Sequence, residues 1–159
     1  MSKWHSQTYG TLSFEELPDK IQLFYDMNKH YGEPIEITIG TDSQNHQETK
    51  VVTVISVLCK GHGGIFFYHI EYRPLVQSVK TKLEMETYIS LETAQKLLAN
   101  LNDKQVFPIS IHIDAGTSPI GKTRDLIQSL TGWVHAMGYD CEIKPNSYAA
   151  SSIADRISK

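Results

Sequence analysis

Apolar residues recur at two different spacings along this chain, and the spacing switches several times. Ile35, Ile37 and Ile39 alternate with Glu36, Thr38 and Gly40, which predicts a strand over residues 35–42 with Asp42 on its polar face. Residues 50–60 are almost continuously apolar (Val51, Val52, Val54, Ile55, Val57, Leu58), the pattern of a central strand covered on both faces. Gly61-His62-Gly63-Gly64 then turns the chain into a third strand, 65–73, where Phe67, His69, Glu71 and Arg73 alternate with Phe66, Tyr68, Ile70 and Tyr72. Three antiparallel strands are expected from this stretch.

Helical spacing takes over at Thr81-Lys82-Leu83-Glu84, a capping-box pattern that opens a helix running to about Leu101. Its inner row is Leu83, Ser90, Ala94, Leu97 and Leu101, with Glu86 close to that row, while Glu84 and Glu92 fall toward the rows of Tyr88 and Gln95. A strand over 107–114 follows, with Ile109, Ile111 and Ile113 on one face and Ser110, His112 and Asp114 on the other. A helix over about 119–137 closes at Gly138, a strand spans 139–144, and a last helix is capped at Ser147. Ahead of the sheet, Ser13-Phe14-Glu15-Glu16 is a further capping box, opening a helix over 14–30 that places Leu17, Ile21 and Phe24 on one face and ends at Gly32. The core order is therefore β-β-β-α-β-α-β-α, with right-handed crossovers joining the last strands. A single domain over 1–159 is expected, made of an N-terminal helical extension, 1–34, and a core, 35–159.

Composition narrows the picture. The chain has 159 residues and is 40% hydrophobic, enough for one real core and too little for two. No apolar run approaches the roughly 20 residues that span a bilayer, and residues 1–10 lack the apolar stretch of a signal peptide, so a cytoplasmic location away from membranes is expected. Cys59 and Cys141 fall inside expected strands with no CxxC or histidine-spaced partner, which reads as buried reduced thiols. The net charge of −3 neither demands nor forbids a phosphate-bearing partner.

The candidate chemistry is carboxylate chemistry. Ile37-Thr38-Ile39-Gly40-Thr41-Asp42-Ser43 and Ile111-His112-Ile113-Asp114-Ala115-Gly116-Thr117 each run an apolar strand into an aspartate and then small turn formers. An aspartate after a strand is, taken alone, an ordinary turn former or helix cap. If the two strands are parallel neighbours, both aspartates end at the carboxyl edge of a sheet, where open α/β sheets place their ligands.

This order of elements, with Asp42 ending the first strand, Glu86 inside the first crossover helix, Asp114 ending the fourth strand and Asp155 on the last helix, resembles the ribonuclease-H-like fold. The strings IGTDSQ, KLEMETYISLE, IHIDAG and IKPNSYAASSIADRISK further resemble the YkuK-type family of predicted ribonuclease-H-like proteins. The resemblance implies a five-stranded mixed sheet of order 3-2-1-4-5 with strand 2 antiparallel, helices on both faces and an extra N-terminal helix. It also implies a metal-dependent nuclease, with Asp42, Glu86, Asp114 and Asp155 as catalytic and metal-binding residues, two Mg²⁺ or Mn²⁺ ions as cofactors, and nucleic acid as substrate. Hard oxygen ligands suit those ions, and in-line phosphoryl displacement uses two of them about 4 Å apart.

Lys122, Arg124 and Lys144 are expected to meet substrate phosphate, and His112, grouped with them as a substrate-binding candidate, shares the face of Asp114 as a metal ligand, an orienting group or a proton shuttle, or else as a histidine hydrogen-bonded within the fold. The remaining histidines have no common spacing and suggest no zinc site. Residues 116–123 match the phosphate-loop pattern GxxxxGK[ST], but Pro119 removes a backbone N–H that such a loop uses, and Ser118-Pro119 reads as an N-cap and first helical residue. The connection Pro145-Asn146-Ser147 carries no histidine, unlike many ribonuclease H enzymes. A catalytically silent nucleic-acid or protein interaction module is therefore the competing reading. A nucleotide-binding protein ranks third, because IGTDS and IDAGTS also resemble the phosphate loops of actin-like kinases, which use two such domains.

Overall fold

The computed structural model describes residues 2–101, 107–115 and 122–143. Among the described residues seven strands form one mixed sheet. They are β1 (Lys3–Ser6), β2 (Gly10–Ser13), β3 (Ile35–Asn45), β4 (Thr49–Cys59), β5 (Gly63–Arg73), β6 (Ile109–Ile113) and β7 (Asp140–Ile143), in spatial order β2-β1-β5-β4-β3-β6-β7. The helices are α1 (Leu17–Asn28), α2 (Val79–Asn100) and α3 (Lys122–Ala136).

The five strands expected from the sequence appear in the expected order: β3, β4 and β5 form an antiparallel meander, and β6 and β7 are added parallel to β3. The strand count is corrected from five to seven, and the N-terminal extension begins with a hairpin rather than a helix. Each hairpin strand has only four residues, too few for alternation to register. Packing holds them: Trp4 pairs with Leu12, lies 5.6 Å from Phe14 and stacks on His69 at 5.4 Å. The Nδ1 of His69 is 2.7 Å from the carbonyl oxygen of Lys3, which ties β1 to β5. Both edges of the sheet are thus four-residue strands, β2 and β7.

One hydrophobic cluster joins all three helices to a single face of the sheet. Leu17, Ile21 and Phe24 of α1, Leu83, Leu91, Ala94 and Leu97 of α2, and Leu130 and Val134 of α3 pack with Ile37, Ile39, Ile55, Ile109 and Ile111. On the other face Val52 and Val54 form a smaller cluster with Phe66, Tyr68 and Ile70, so β4 is covered on both sides as its continuous apolar run requires. The last helix, expected from Ser147, lies outside the described residues.

Element ends shift for identifiable reasons. The capping box at Ser13 forms, with the Ser13 N–H donating to Glu16 Oε1 at 3.2 Å, but a 3-10 turn over Phe14–Glu16 precedes α1. Helix α2 starts at Val79 instead of Thr81, because the Ser78 hydroxyl accepts from the Thr81 N–H at 3.0 Å and caps it earlier. Cys59 and Cys141 are free thiols as expected, though Cys141 is half-buried. Among the described residues no helix is long and apolar enough to cross a membrane.

Candidate carboxylate site

Strand β3 puts the first aspartate deeper in the sheet than its sequence suggests. Asp42 does not end the strand; β3 continues to Asn45 because β4 pairs with it residue for residue, Asp42 opposite Val52 and Asn45 opposite Thr49. The parallel neighbour β6 stops earlier, at Ile113. Its register sets Gly40 level with His112, the last paired position, and Asp42 and Asp114 each follow two residues later along the chain. Both aspartates therefore come just past the end of the parallel pairing, Asp42 still within β3 and 6% exposed, Asp114 beyond the end of β6 and half-buried.

Glu86 comes from α2, which crosses the same end of β3 on the helical face. The helix is anchored there by hydroxyls: Thr41 Oγ1 lies 2.7 Å from Ser90 Oγ, and Ser43 Oγ donates to Glu86 Oε2 at 2.6 Å. Thr41 and Ser43 face α2, whereas alternation turns Asp42 to the other face, opposite Val52. The charge of Asp42 nevertheless reaches Glu86. Burial is the main force raising the Glu86 carboxyl to about 8, the hydrogen bond from Ser43 opposes it, Asp42 adds to the rise, and Lys82 lowers it. Glu86 is only 5% exposed, while Glu84 and Glu92 are exposed and Glu92 is engaged by Lys96 and Tyr88.

The remaining expected site residues are distributed as follows. His112 is buried on β6, level with Gly40 on one side and Glu142 on the other. Arg124 is exposed in the first turn of α3. Lys122 begins that helix, and its side chain lies outside the described part. Asp155, Lys144 and most of the 116–123 loop are also outside the described residues. Among the described residues no group of three or more His, Cys, Asp and Glu stands close enough to hold a metal ion. What the structure brings together is the hydrogen-bonded pair Ser43 and Glu86, with the charge of buried Asp42 acting on Glu86, while Asp114 follows the end of β6. Ser43 was not singled out by the sequence, although its place in GTDS directly after Asp42 was the available signal.

A mixed sheet with a β-meander and parallel additions reached through helices is the architecture of a ribonuclease-H-like protein. The chain belongs to the ribonuclease H-like family, whose profile matches residues 18–159. It is 32% identical over 171 aligned residues to the uncharacterized protein YkuK of Bacillus subtilis (strain 168), with 98% of this chain and 96% of that protein covered. No solved structure matches it significantly.

Proposed function

We propose that this chain is a divalent-metal-dependent nuclease hydrolysing phosphodiester bonds of RNA or DNA, with Asp42, Glu86, Asp114 and Asp155 as the acids that hold two Mg²⁺ or Mn²⁺ ions. The observation that carries this reading is Glu86, a buried carboxyl raised to about 8 by burial and by the charge of Asp42. Burying two acids together is unfavourable unless something positive offsets it, and the all-oxygen donor set fits a hard cation. When bound, such ions activate water and offset charge developing on the transferring phosphoryl group.

The protein's own residues then have distinct tasks. Ser43 fixes one oxygen of Glu86 by its 2.6 Å hydrogen bond. Asp42, on the strand between β4 and β6, serves both ions in this reading. Lys122, Arg124 and Lys144 neutralise backbone phosphates, and His112 orients Asp114 or moves a proton beside it.

The test is cleavage of a panel of RNA, DNA, hybrid and junction substrates with Mn²⁺ or with EDTA. Wild-type protein cuts at least one substrate with Mn²⁺ and none with EDTA, and Asp42→Asn, which keeps size and removes charge, cuts none while remaining folded. A wild type that cuts nothing, or an Asp42→Asn protein with full activity, overturns the proposal. The sequence of the 145–147 connection, which has no histidine, favours a second reading as a silent nucleic-acid-binding module. That reading expects nucleic-acid binding without metal-dependent cleavage. Lys122→Ala separates both from nucleotide binding: it weakens nucleic-acid binding modestly, whereas a working phosphate loop would lose ATP binding altogether.

A further inference from the structure

Helix α2 carries two lysines near its start, Lys80 and Lys82, and its packing sends them to different places. Lys80, Glu84 and Tyr88 follow one another at a spacing of four on a single row of the helix. Lys80 and Glu84 line a groove with Asp125 and Trp133 of α3, and Tyr88 stacks on Trp133 with ring centroids 6.5 Å apart, so this row faces α3. Lys82, Glu86 and Ser90 form a second row, and it faces β3. Ser90 Oγ lies 2.7 Å from Thr41 Oγ1, and Glu86 Oε2 accepts from Ser43 Oγ at 2.6 Å.

The same two contacts set the level of Lys82. Helix and strand run in opposite directions, four residues of α2 against two of β3, or about 6 Å against about 6.6 Å. One more such step takes the helix from Glu86 to Lys82 and the strand from Ser43 to Asn45, the last residue of β3. Asn45 confirms the match, since its Nδ2 donates to the carbonyl oxygen of Val76, just before the helix, at 2.8 Å. Helical side chains lean toward the N-terminus, which carries the Lys82 ammonium outward from Glu86 toward the end of the strand. Lys82 is half-buried, and among the described residues it forms no salt bridge. Its charge still acts on the site: burial dominates the Glu86 carboxyl and raises it, and Lys82 is among the groups that lower it. The second row thus ends in a cation one turn outside the acids, near them and not tied up by them.

We infer that Lys82 is a substrate-binding residue of this site, its ammonium taking an oxygen of the nucleic-acid backbone phosphate, an inference that rests on the nuclease reading proposed above. A phosphate that approaches Asp42 and Glu86 from the end of β3 meets Lys82 first. It brings negative charge toward two acids, and an ammonium at the approach offsets that repulsion. Lysine suits the task because a compact charge on a flexible stem follows a phosphate through more than one orientation.

Cleavage kinetics with Mn²⁺, and nucleic-acid binding with Ca²⁺ in its place, test the assignment on the full chain. Binding is read by fluorescence anisotropy of labelled single- and double-stranded RNA and DNA over a range of salt. Lys82→Ala lowers kcat/KM about tenfold and reduces the slope of log affinity against log salt by about one, the loss of a single phosphate contact. Lys82→Arg keeps the charge and restores most of both. Lys80→Ala, which removes the same charge from the row facing α3, leaves both at the wild-type value. Calorimetric titration with Mn²⁺ separates substrate binding from support of the acids: Lys82→Ala binds Mn²⁺ at least as tightly as wild type, because a positive charge has left the site. The inference is overturned by an unchanged salt slope in Lys82→Ala, by equal losses in Lys80→Ala, or by weakened Mn²⁺ binding in Lys82→Ala. The binding measurement needs no cleavage, so a wild type that binds nucleic acid and cuts none overturns the nuclease reading while the salt slope still decides the role of Lys82. A wild type that binds none of the four nucleic acids overturns both.

Discussion

Glu86 is where burial and charge oppose each other most directly. Its carboxyl has an ordinary value of 4.5 and is raised to about 8 in the folded protein. Between those values the folded state holds a proton that the unfolded state has released, so stability falls as pH rises from about 4.5 to about 8 and levels off above. Below the lower value both states are protonated and the contribution is constant. Urea unfolding of metal-free protein is expected to show this decline, of the order of a few kcal/mol. In Glu86→Gln the decline flattens, and the variant exceeds wild type in stability above pH 8. Ser43→Ala leaves the buried carboxyl without its short hydrogen bond and is expected to cost about 1–3 kcal/mol by the same measurement. Glu86 was legible in the sequence because helical spacing put it near the inner row, away from Glu84 and Glu92. The Ser43 bond was not, because it joins residues on two elements whose contact only the packed fold supplies.

At the level of elements, the strongest periodic signals gave the clearest elements. β3, β4, β5, α1 and α2 were readable because long apolar faces repeat in them, and their ends moved where partners outside the pattern intervened. β3 runs on to Asn45 because β4 continues to pair with it, and α2 begins early because Ser78 caps it. Removing that cap in Ser78→Ala is expected to lower stability by about 1 kcal/mol, read by thermal or urea unfolding. The N-terminal hairpin was not legible, since two four-residue strands carry no periodicity and their stability comes from one ring. Trp4 is 3% exposed and packs on Phe14 and His69, so Trp4→Ala is expected to cost about 3–5 kcal/mol. Amide hydrogen exchange would then accelerate first in β1 and β2, with β3, β4 and β6 still protected.

For the whole molecule, the arrangement that matters is the end of the parallel strands. Order of elements in the sequence was enough to infer that β3 and β6 are parallel neighbours. It did not show that Asp42 and Glu86 approach from opposite faces of one strand. If this end of the sheet holds cations, Mn²⁺ at millimolar concentration raises the melting temperature of wild type, by several degrees if the ion is present at about a hundred times its dissociation constant, and raises that of Asp42→Asn far less. Differential scanning calorimetry with and without EDTA reads the difference.

The two outer strands have a consequence of their own. A sheet's border offers unpaired backbone groups to any other extended chain, and long flat borders seed aggregation. Here both borders, β2 and β7, are four residues long among the described residues, and β7 carries Asp140 and Glu142 on one face. A foreign strand laid against either would gain only a few ladder hydrogen bonds, and against β7 it would also meet negative charge. The long, apolar β4, which alone would be a fibre-forming sequence, is kept at the centre, with three strands on either side of it.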